Sequence, residues 1–551
     1  MQFVAIITGI LIFMTISSIH ESKKRRRKLR RWIKEQFGKK PERAKYDYEK
    51  LGYYWGEYSK SIPDDEKLDE VTWNDLEMDN VFCRINSCNS FVGEQVLYSS
   101  LHCTPKNNLN MEVLEKKICF FSDNDKEKEE IQLLLCGLRK DDHGYYLPKF
   151  MANLDAFEIA IWKYQLMQIL LFVSILPVIV LQRIDLLSIT GILFTINLFV
   201  YSKSKNKYDT QLDTLYSIGG LVLTADRIAD TEKFSYESTF GDLKSEVAVF
   251  KKISRIVSMM KNRKDASLSG EVTSIMYDYI LGVTLWDFIK YGQIISVLKE
   301  RKNEFMQLYN KVGEIDMAIA IASFRASIPF FCTPEFTGEH IIQMEEVYHP
   351  LIDDPVCNTV TIDRNCIITG SNASGKSTFI KAVAVNVILA HCIQTCMAKK
   401  MSLPFAQIIT SMAVRDDLML GESYYIKEIK YLKRIIENLS TNRFIICTID
   451  EILRGTNTKE RVAASTAILR YLSKKNCIAV VASHDIELTR ILDKIYANYH
   501  FREQIKDNDI IFDYKIYDGA STSSNAIRLL DYIGFPEEII TEAEDFLTKS
   551  I

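Results

Sequence analysis

The octet Gly370-Ser371-Asn372-Ala373-Ser374-Gly375-Lys376-Ser377 constrains this chain more than any other stretch. It follows the apolar run Ile367-Ile368-Thr369 and opens a segment of helical composition, Thr378 to Val383. G-x-x-x-x-G-K-S between a strand and a helix has the form of a phosphate-cradling loop. In that form Gly370 and Gly375 let the backbone bend, so that successive N–H groups point at a β-phosphate and the helix N-terminus adds its partial positive charge. Lys376 then reaches the β- and γ-phosphates and Ser377 offers a hydroxyl to Mg²⁺, so Gly370 through Thr378 are the expected ATP-binding residues. The bland alternative is a glycine-containing turn with a solvated lysine, and the flanking strand and helix count against it.

A chain of 551 residues has room for two or more domains, and its net charge of −3 gives no global argument for nucleic acid. Charge is concentrated locally instead. Eight of the nine residues from Lys23 to Arg31 are basic, directly after an uncharged run from Met1 to Ile19. A cleavable signal peptide would carry its positive charge before the apolar stretch. Residues 1–20 therefore read as a transmembrane anchor with its C-terminal side cytoplasmic. Tyr164 to Gln182 and Leu186 to Ser202 are also uncharged, separated by Arg183-Ile184-Asp185 and followed by Lys203, Lys205 and Lys207. They predict a transmembrane hairpin over 164–202, hence a multi-pass protein of three spans whose remaining parts are cytoplasmic and whose basic flanks meet membrane lipid. The alternative is a pair of buried core helices, one of them kinked at Pro177. The twelve cysteines show no C-x-x-C pair and no metal-ligand spacing, and read as core residues in a reducing compartment.

Residues 21–67 form a basic and aromatic juxtamembrane stretch. Its Tyr46, Tyr48, Tyr53, Tyr54, Trp55 and Tyr58 suit either a linker or a small docked segment. From Leu68 the spacing of Trp73, Leu76, Met78 and Phe82, then of Val92, Val96, Leu97 and Leu101, predicts helices. Residues 68–160 and 203–335 read as the two parts of one all-α domain interrupted by the hairpin. After Pro334 short β-rich segments alternate with helices to about Tyr517, which predicts an α/β domain with a mostly parallel sheet over 340–518. The last segment, 519–551, carries more apolar residues than two short helices can bury alone. It is the expected homodimerisation segment.

Downstream of the loop, Phe444 to Ile449 is an apolar run ending in Asp450-Glu451, the form of a buried strand that delivers acids at its C-terminal edge. Asp450 is the expected Mg²⁺-side acid and Glu451 the expected base for attack of water on the γ-phosphate. Ile478 to Ala482 repeats the arrangement and places His484 where a γ-phosphate sensor would sit, although a lone histidine is more often structural.

These residues carry a resemblance. Thr369 to Thr378, Asp450-Glu451-Ile452-Leu453-Arg454-Gly455-Thr456-Asn457 and Ala482-Ser483-His484 resemble the ATPase domain of the MutS family of DNA mismatch-repair proteins. Tyr348-His349-Pro350-Leu351, Gly519 to Ile527 and Gly534-Phe535-Pro536 extend the likeness. Val71 to Met78 and Gly313 to Asp316 look like the opening and close of that family's lever domain. The resemblance implies an ABC/MutS-like P-loop ATPase that works with ATP and Mg²⁺ as a dimer and binds DNA. It also implies that Ser423, in Gly421 to Glu428, completes the partner's site; the alternative is a serine that only caps its own helix. Two departures stand out. The family's mismatch-reading Phe-x-Glu motif has no counterpart before the ATPase domain, since Phe501-Arg502-Glu503 and Phe535-Pro536-Glu537 both lie within its end. Where an aromatic can stack on adenine in the family, this chain has Asp354-Pro355-Val356-Cys357.

Two functions remain open at this level. One is a membrane-anchored MutS-like ATPase that binds DNA. The other is a mechanochemical ATPase whose levers act on a membrane or an unidentified protein partner, without DNA.

Overall fold

The computed structural model describes residues 20, 21, 23–42, 45–107, 111–231, 238–268, 282–371, 374–412, 424–440, 443–506, 509–521 and 533–549. The expected anchor lies outside these residues apart from His20. So do Asn372, Ala373, Ser423 and the first of the two expected C-terminal helices.

The aromatic stretch after residue 40 is packed. Helix α1 (Tyr48–Tyr58) starts where the Asp47 carboxylate accepts the Lys50 N–H, and it buries Leu51 and Tyr54 on one face. The next helices used below are α2 (Glu70–Asp75), capped by Asp69, and α3 (Phe91–Leu101), capped by Ser90. The hairpin consists of α4 (Ile161–Leu181) and the first half of α5 (Leu187–Ala229). Helix α4 runs on through Pro177, and the chain turns at Gln182, which adopts a left-handed φ of +53°. Helix α5 continues far beyond the apolar stretch and loses helical geometry only at Tyr208.

After α5 the chain comes back as α6 (Trp286–Glu300) and α7 (Lys302–Ala326). Helix α7 lies along α3, so the segments before and after the hairpin share one core. The pairing is fixed by a buried carboxylate. Asp316 of α7 accepts the N–H groups of Asn89 (2.9 Å) and Ser90 (2.8 Å) and the Ser90 hydroxyl (2.6 Å), capping α3 from the neighbouring helix. Burial pushes this carboxyl up, against the pull of those hydrogen bonds.

The α/β part contains two sheets. Strands β1 (Glu335–Thr337), β2 (Ile342–Val347), β3 (Asn358–Ile362) and β5 (Lys400–Pro404) form a mixed sheet in the order β1-β5-β2-β3. Strands β4 (Cys366–Thr369), β6 (Gln407–Ser411), β7 (Ile445–Asp450), β8 (Cys477–Ala482), β9 (Ala497–Lys506) and β10 (Asp509–Asp518) form the second, in the order β10-β9-β4-β8-β7-β6. This sheet is parallel except for β10, as the unbroken burial of β4, β7 and β8 requires. One face packs on α8 (Lys376–Ile393), the other on α9 (Tyr424–Asn438) and α10 (Thr458–Leu472).

Arginines bind the helical and α/β parts together. Arg325 at the end of α7 holds the Glu115 carboxylate at 2.7 and 2.6 Å and the Gln394 carbonyl at 2.7 Å. Arg443, just before β7, donates to the carbonyls of Thr104 (2.6 Å) and Ala406 (2.9 Å).

Candidate nucleotide site

Strands β4, β8 and β7 lie side by side with Ile368 opposite Ala482 and Ala482 opposite Asp450, so the chain leaves all three at one edge. Two backbone bonds lock the exits: Ser483 N–H donates to Ile368 (3.0 Å) and Glu451 N–H to Ala482 (2.9 Å). The glycine loop, the acid pair and His484 therefore meet.

Within the loop, Gly370 and Gly375 have φ of +142° and +102°. A Cβ at Gly370 would stand 2.8 Å from both the Phe501 carbonyl and Ser374 Oγ, so no other residue fits there. Ser374 closes the bend by donating its hydroxyl to the Ser371 carbonyl at 2.7 Å. Ser377 is half-buried and Thr378 exposed in the first turn of α8.

Lys376 is only 2% exposed. Its Nζ donates to the carbonyls of Gly370 (2.6 Å) and Ser371 (2.8 Å) and lies 3.5 Å from His484 Nε2. Burial pushes the ammonium down to about 8, although the Glu451 and Asp450 carboxylates pull the other way. Glu451 sits in a left-handed turn at φ +63°, with Oε1 3.0 Å from His484 Nε2 and Oε2 paired with Arg454. Burial raises its carboxyl, yet the His484 hydrogen bond and the charges of Arg454 and Lys376 outweigh burial and hold it below its ordinary value. Asp450 is buried beside it. Its Oδ1 has no hydrogen-bond partner among the described residues, an open carboxylate position of the kind a divalent cation takes.

Several contributors were hidden from sequence reasoning. Arg454 belongs to the motif segment, but nothing in its spacing marks it as the partner of Glu451. Glu503 accepts the Ser371 hydroxyl at 2.5 Å from a distant strand. Asp485 receives a two-pronged bond from Arg461 at 2.9 and 2.6 Å, which ties α10 to the turn after His484.

Beside Gly375 and Thr378 opens a cavity of about 350 Å³ whose walls include Val347, His349, Pro355, Phe379, Phe501 and Tyr514. Burial lowers His349 to about 4, so this imidazole is neutral at pH 7. Asp354, Pro355 and Val356 line the cavity as the sequence position suggests, and aromatic rings come from other segments, among them Phe379, Phe501 and Tyr514. Tyr514 is left-handed (φ +53°) within a bulge between Phe512 and Ile516. Asn358 clamps that bulge, donating to the Tyr514 carbonyl (3.0 Å) and accepting the Ile516 N–H (2.8 Å).

The family model for MutS domain V matches residues 366–550, which takes in the loop, both acids and His484. Over that stretch the chain is similar to the MutS family. The DNA mismatch repair protein MutS of Clostridium kluyveri is 29% identical over 295 residues, covering 50% of this chain and 33% of that protein. Its namesakes from Fusobacterium nucleatum and Streptococcus pyogenes are 27% identical over 272 residues and 28% over 260, each covering 30% of the relative. The chain thus spans about a third of the length of the curated relatives it matches.

Proposed function

We propose that this chain is a membrane-anchored MutS-like ATPase that binds ATP with Mg²⁺, hydrolyses it as a dimer and binds DNA. The observation that carries the reading is the meeting of Lys376, Asp450, Glu451 and His484 at one sheet edge beside a glycine loop. Lys376 is already stripped of water and needs only to leave two loop carbonyls to meet phosphates. Asp450 and Ser377 would hold Mg²⁺, which supplies positive charge against the phosphate oxygens. Glu451 takes the proton of the attacking water once Arg454 releases Oε2, while His484 steadies Oε1 and faces the γ-phosphate. With both oxygens engaged, the acid is held back until the site is filled. The base enters the cavity between Phe379 and Tyr514, and Ser423 of a second copy completes the site.

Three uncharged runs in the sequence, the first and third followed by basic residues, support the membrane placement, and the outward-facing apolar residues of α4 agree with it. Exposed Ile533, Phe535, Ile539 and Phe546 in the last segment support the homodimer. DNA enters through the relatives, which are named for DNA mismatch repair. A second reading, a mechanochemical ATPase acting on a membrane or protein partner without DNA, is favoured by the apolar hairpin that interrupts the helical region.

The test uses the full chain in detergent. Lys376→Ala should lose ATP binding, and Glu451→Gln should keep ATP while turnover drops about 10²-fold or more. Equal ATP affinity in wild type and Lys376→Ala would sink the assignment of the loop. DNA binding that weakens steeply with salt supports the first reading, and no binding at low salt leaves the second.

A further inference from the structure

Helix α5 hides one amide among apolar neighbours. Asn197 is 1% exposed, and a buried amide in such a setting is costly unless it finds a partner. Its partner is neither helix of the hairpin alone. Nδ2 reaches the Met167 carbonyl of α4 at 3.5 Å and, more closely, the Val283 carbonyl at 3.0 Å. Val283 is the last helical residue before the turn Thr284-Leu285 that leads into α6, and Leu285 there takes a left-handed φ of +55°.

The approach is wedged in tightly. A Cβ on Gly282 would stand 2.7 Å from the Tyr201 ring, and Val283 and Leu285 are buried. One turn on, Phe288 stacks on Tyr164 (5.4 Å) and meets Tyr201 edge-on (5.9 Å). Asn197 lies five residues inside the span that ends at Ser202, about 7.5 Å along a helix. A carbonyl at a helix end has no partner within its own helix, and at such depth it is tolerated only where other protein groups satisfy it. Asn197 and the Val283 carbonyl satisfy each other.

Around this wedge, lysines lie over aromatic rings. Lys290 Nζ is 5.8 Å from the Trp286 ring, Lys163 Nζ 5.7 Å from Trp162 and Lys205 Nζ 5.4 Å from Tyr201. Trp162 is 61% exposed and Trp286 half-buried. Indole rings accompanied by long cationic side chains are what the headgroup layer selects, since the ring suits the boundary and the ammonium stays wet.

We propose that the turn Thr284-Leu285 is wedged into the cytoplasmic end of the hairpin to the level of Asn197, and that Trp286 beside it meets lipid in the headgroup layer together with Trp162. The inference rests on the reading of α4 and α5 as a membrane hairpin. Its consequence is mechanical: α6, and through it α7 and the helical region, is fixed to the bilayer at a second point.

The chain has five tryptophans, so their emission can be separated. The full chain is placed in phosphatidylcholine vesicles carrying bromine either near the headgroup or deep in the acyl chain. The signal of Trp286 is the difference between wild type and Trp286→Phe, which leaves the other four in place. Phe172→Trp, at an outward position of α4, reports on the hairpin. Trp286 should be quenched more by shallow than by deep bromine, and Phe172→Trp more by deep. Asn197→Leu should weaken quenching of Trp286 and leave Trp162 unchanged. If Phe172→Trp is quenched while Trp286 is not, or if Trp286 responds most to deep bromine, the inference falls and the hairpin stands. If neither is quenched, the hairpin reading falls and takes the inference with it.

Discussion

Helices α8 and α4 are both long and apolar enough to cross a membrane, as is α5, but they meet different surroundings. The protein buries 83% of the most apolar stretch of α8, against 6% for the helix ending at Leu181 and 11% for α5. Helix α8 lies between the six-stranded sheet and the helical region. Both α8 and α5 hide one asparagine and spend it on the backbone of another segment: Asn386 donates to the Tyr348 carbonyl (2.9 Å) and accepts the Met397 N–H (2.6 Å), as Asn197 serves Val283. The difference lies in what covers the rest. Composition states that an apolar helix must be removed from water, and only the fold states whether protein or something outside does it.

The same substitution in both helices tests this most sharply. Val385→Asp puts a carboxylate at a position of α8 with no exposure, with a cost of about 5 kcal/mol or more. No folded protein is expected from it. Ile179→Asp stands at a position 67% exposed and should leave thermal unfolding and ATP binding in detergent unchanged. It should instead impair membrane insertion, by about 3 kcal/mol. Should Ile179→Asp unfold the detergent-solubilised protein as Val385→Asp does, α4 would be a covered core helix like α8.

The two helices also show what was legible beforehand. The glycine octet, the acid pair and His484 could be read because each ends a short buried strand, and strand ends in a parallel sheet share an edge whatever the order of strands. The hairpin could be read because uncharged runs and their lysine flanks are local. The mixed sheet could not. Strand β5 pairs parallel with β1 and antiparallel with β2, partners more than fifty residues away that leave no mark on its own sequence. Tyr514 was invisible for the same reason, since its place beside Gly375 depends on a bulge that Asn358 clamps from another sheet. Residues 48–58 were ambiguous because tyrosines suit both a wet linker and a packed helix, and the burial of Leu51 and Tyr54 decides for the helix.

Burial of α8 reaches its first residue, and there it has a chemical consequence that a lipid-facing helix would not show. Lys376 is pushed down to about 8, so near that pH about half of the nucleotide-free protein carries it neutral. Phosphates beside Nζ favour the ammonium, and binding must then take up a proton: little at pH 7, about half near pH 8, more at pH 9. Calorimetry in buffers of different ionisation enthalpy reads this directly, and ATP affinity should weaken as pH rises past 8. The same depression means that the unfolded chain holds more protons between about 8 and the ordinary value of 10.5. In that window the stability of the nucleotide-free protein gains from this group as pH rises. Binding at pH 9 without proton uptake would show that the lysine stays charged despite its burial.

The smallest effect belongs to an ion pair at the exposed edge of α8, where it touches the helical region. Lys381 donates to Glu77 Oε1 at 2.8 Å, and both side chains are partly wet, 26% and 46% exposed. A pair so placed contributes about 0.2–1 kcal/mol, far below the burial of Val385. The Lys381 hydrogen bond and charge hold the Glu77 carboxyl below its ordinary value of 4.5, so the stabilisation is complete above 4.5 and disappears as pH falls through the lowered value. Lys381→Met should therefore lower the thermal midpoint slightly and by a constant amount from pH 7 to about 5, with the gap closing in more acid solution and in 1 M salt. A loss above about 2 kcal/mol, or one that persists in acid and high salt, would mean that Lys381 anchors α8 to the helical region through more than its charge. The separation between strong apolar burial and weak polar docking would then have to be redrawn.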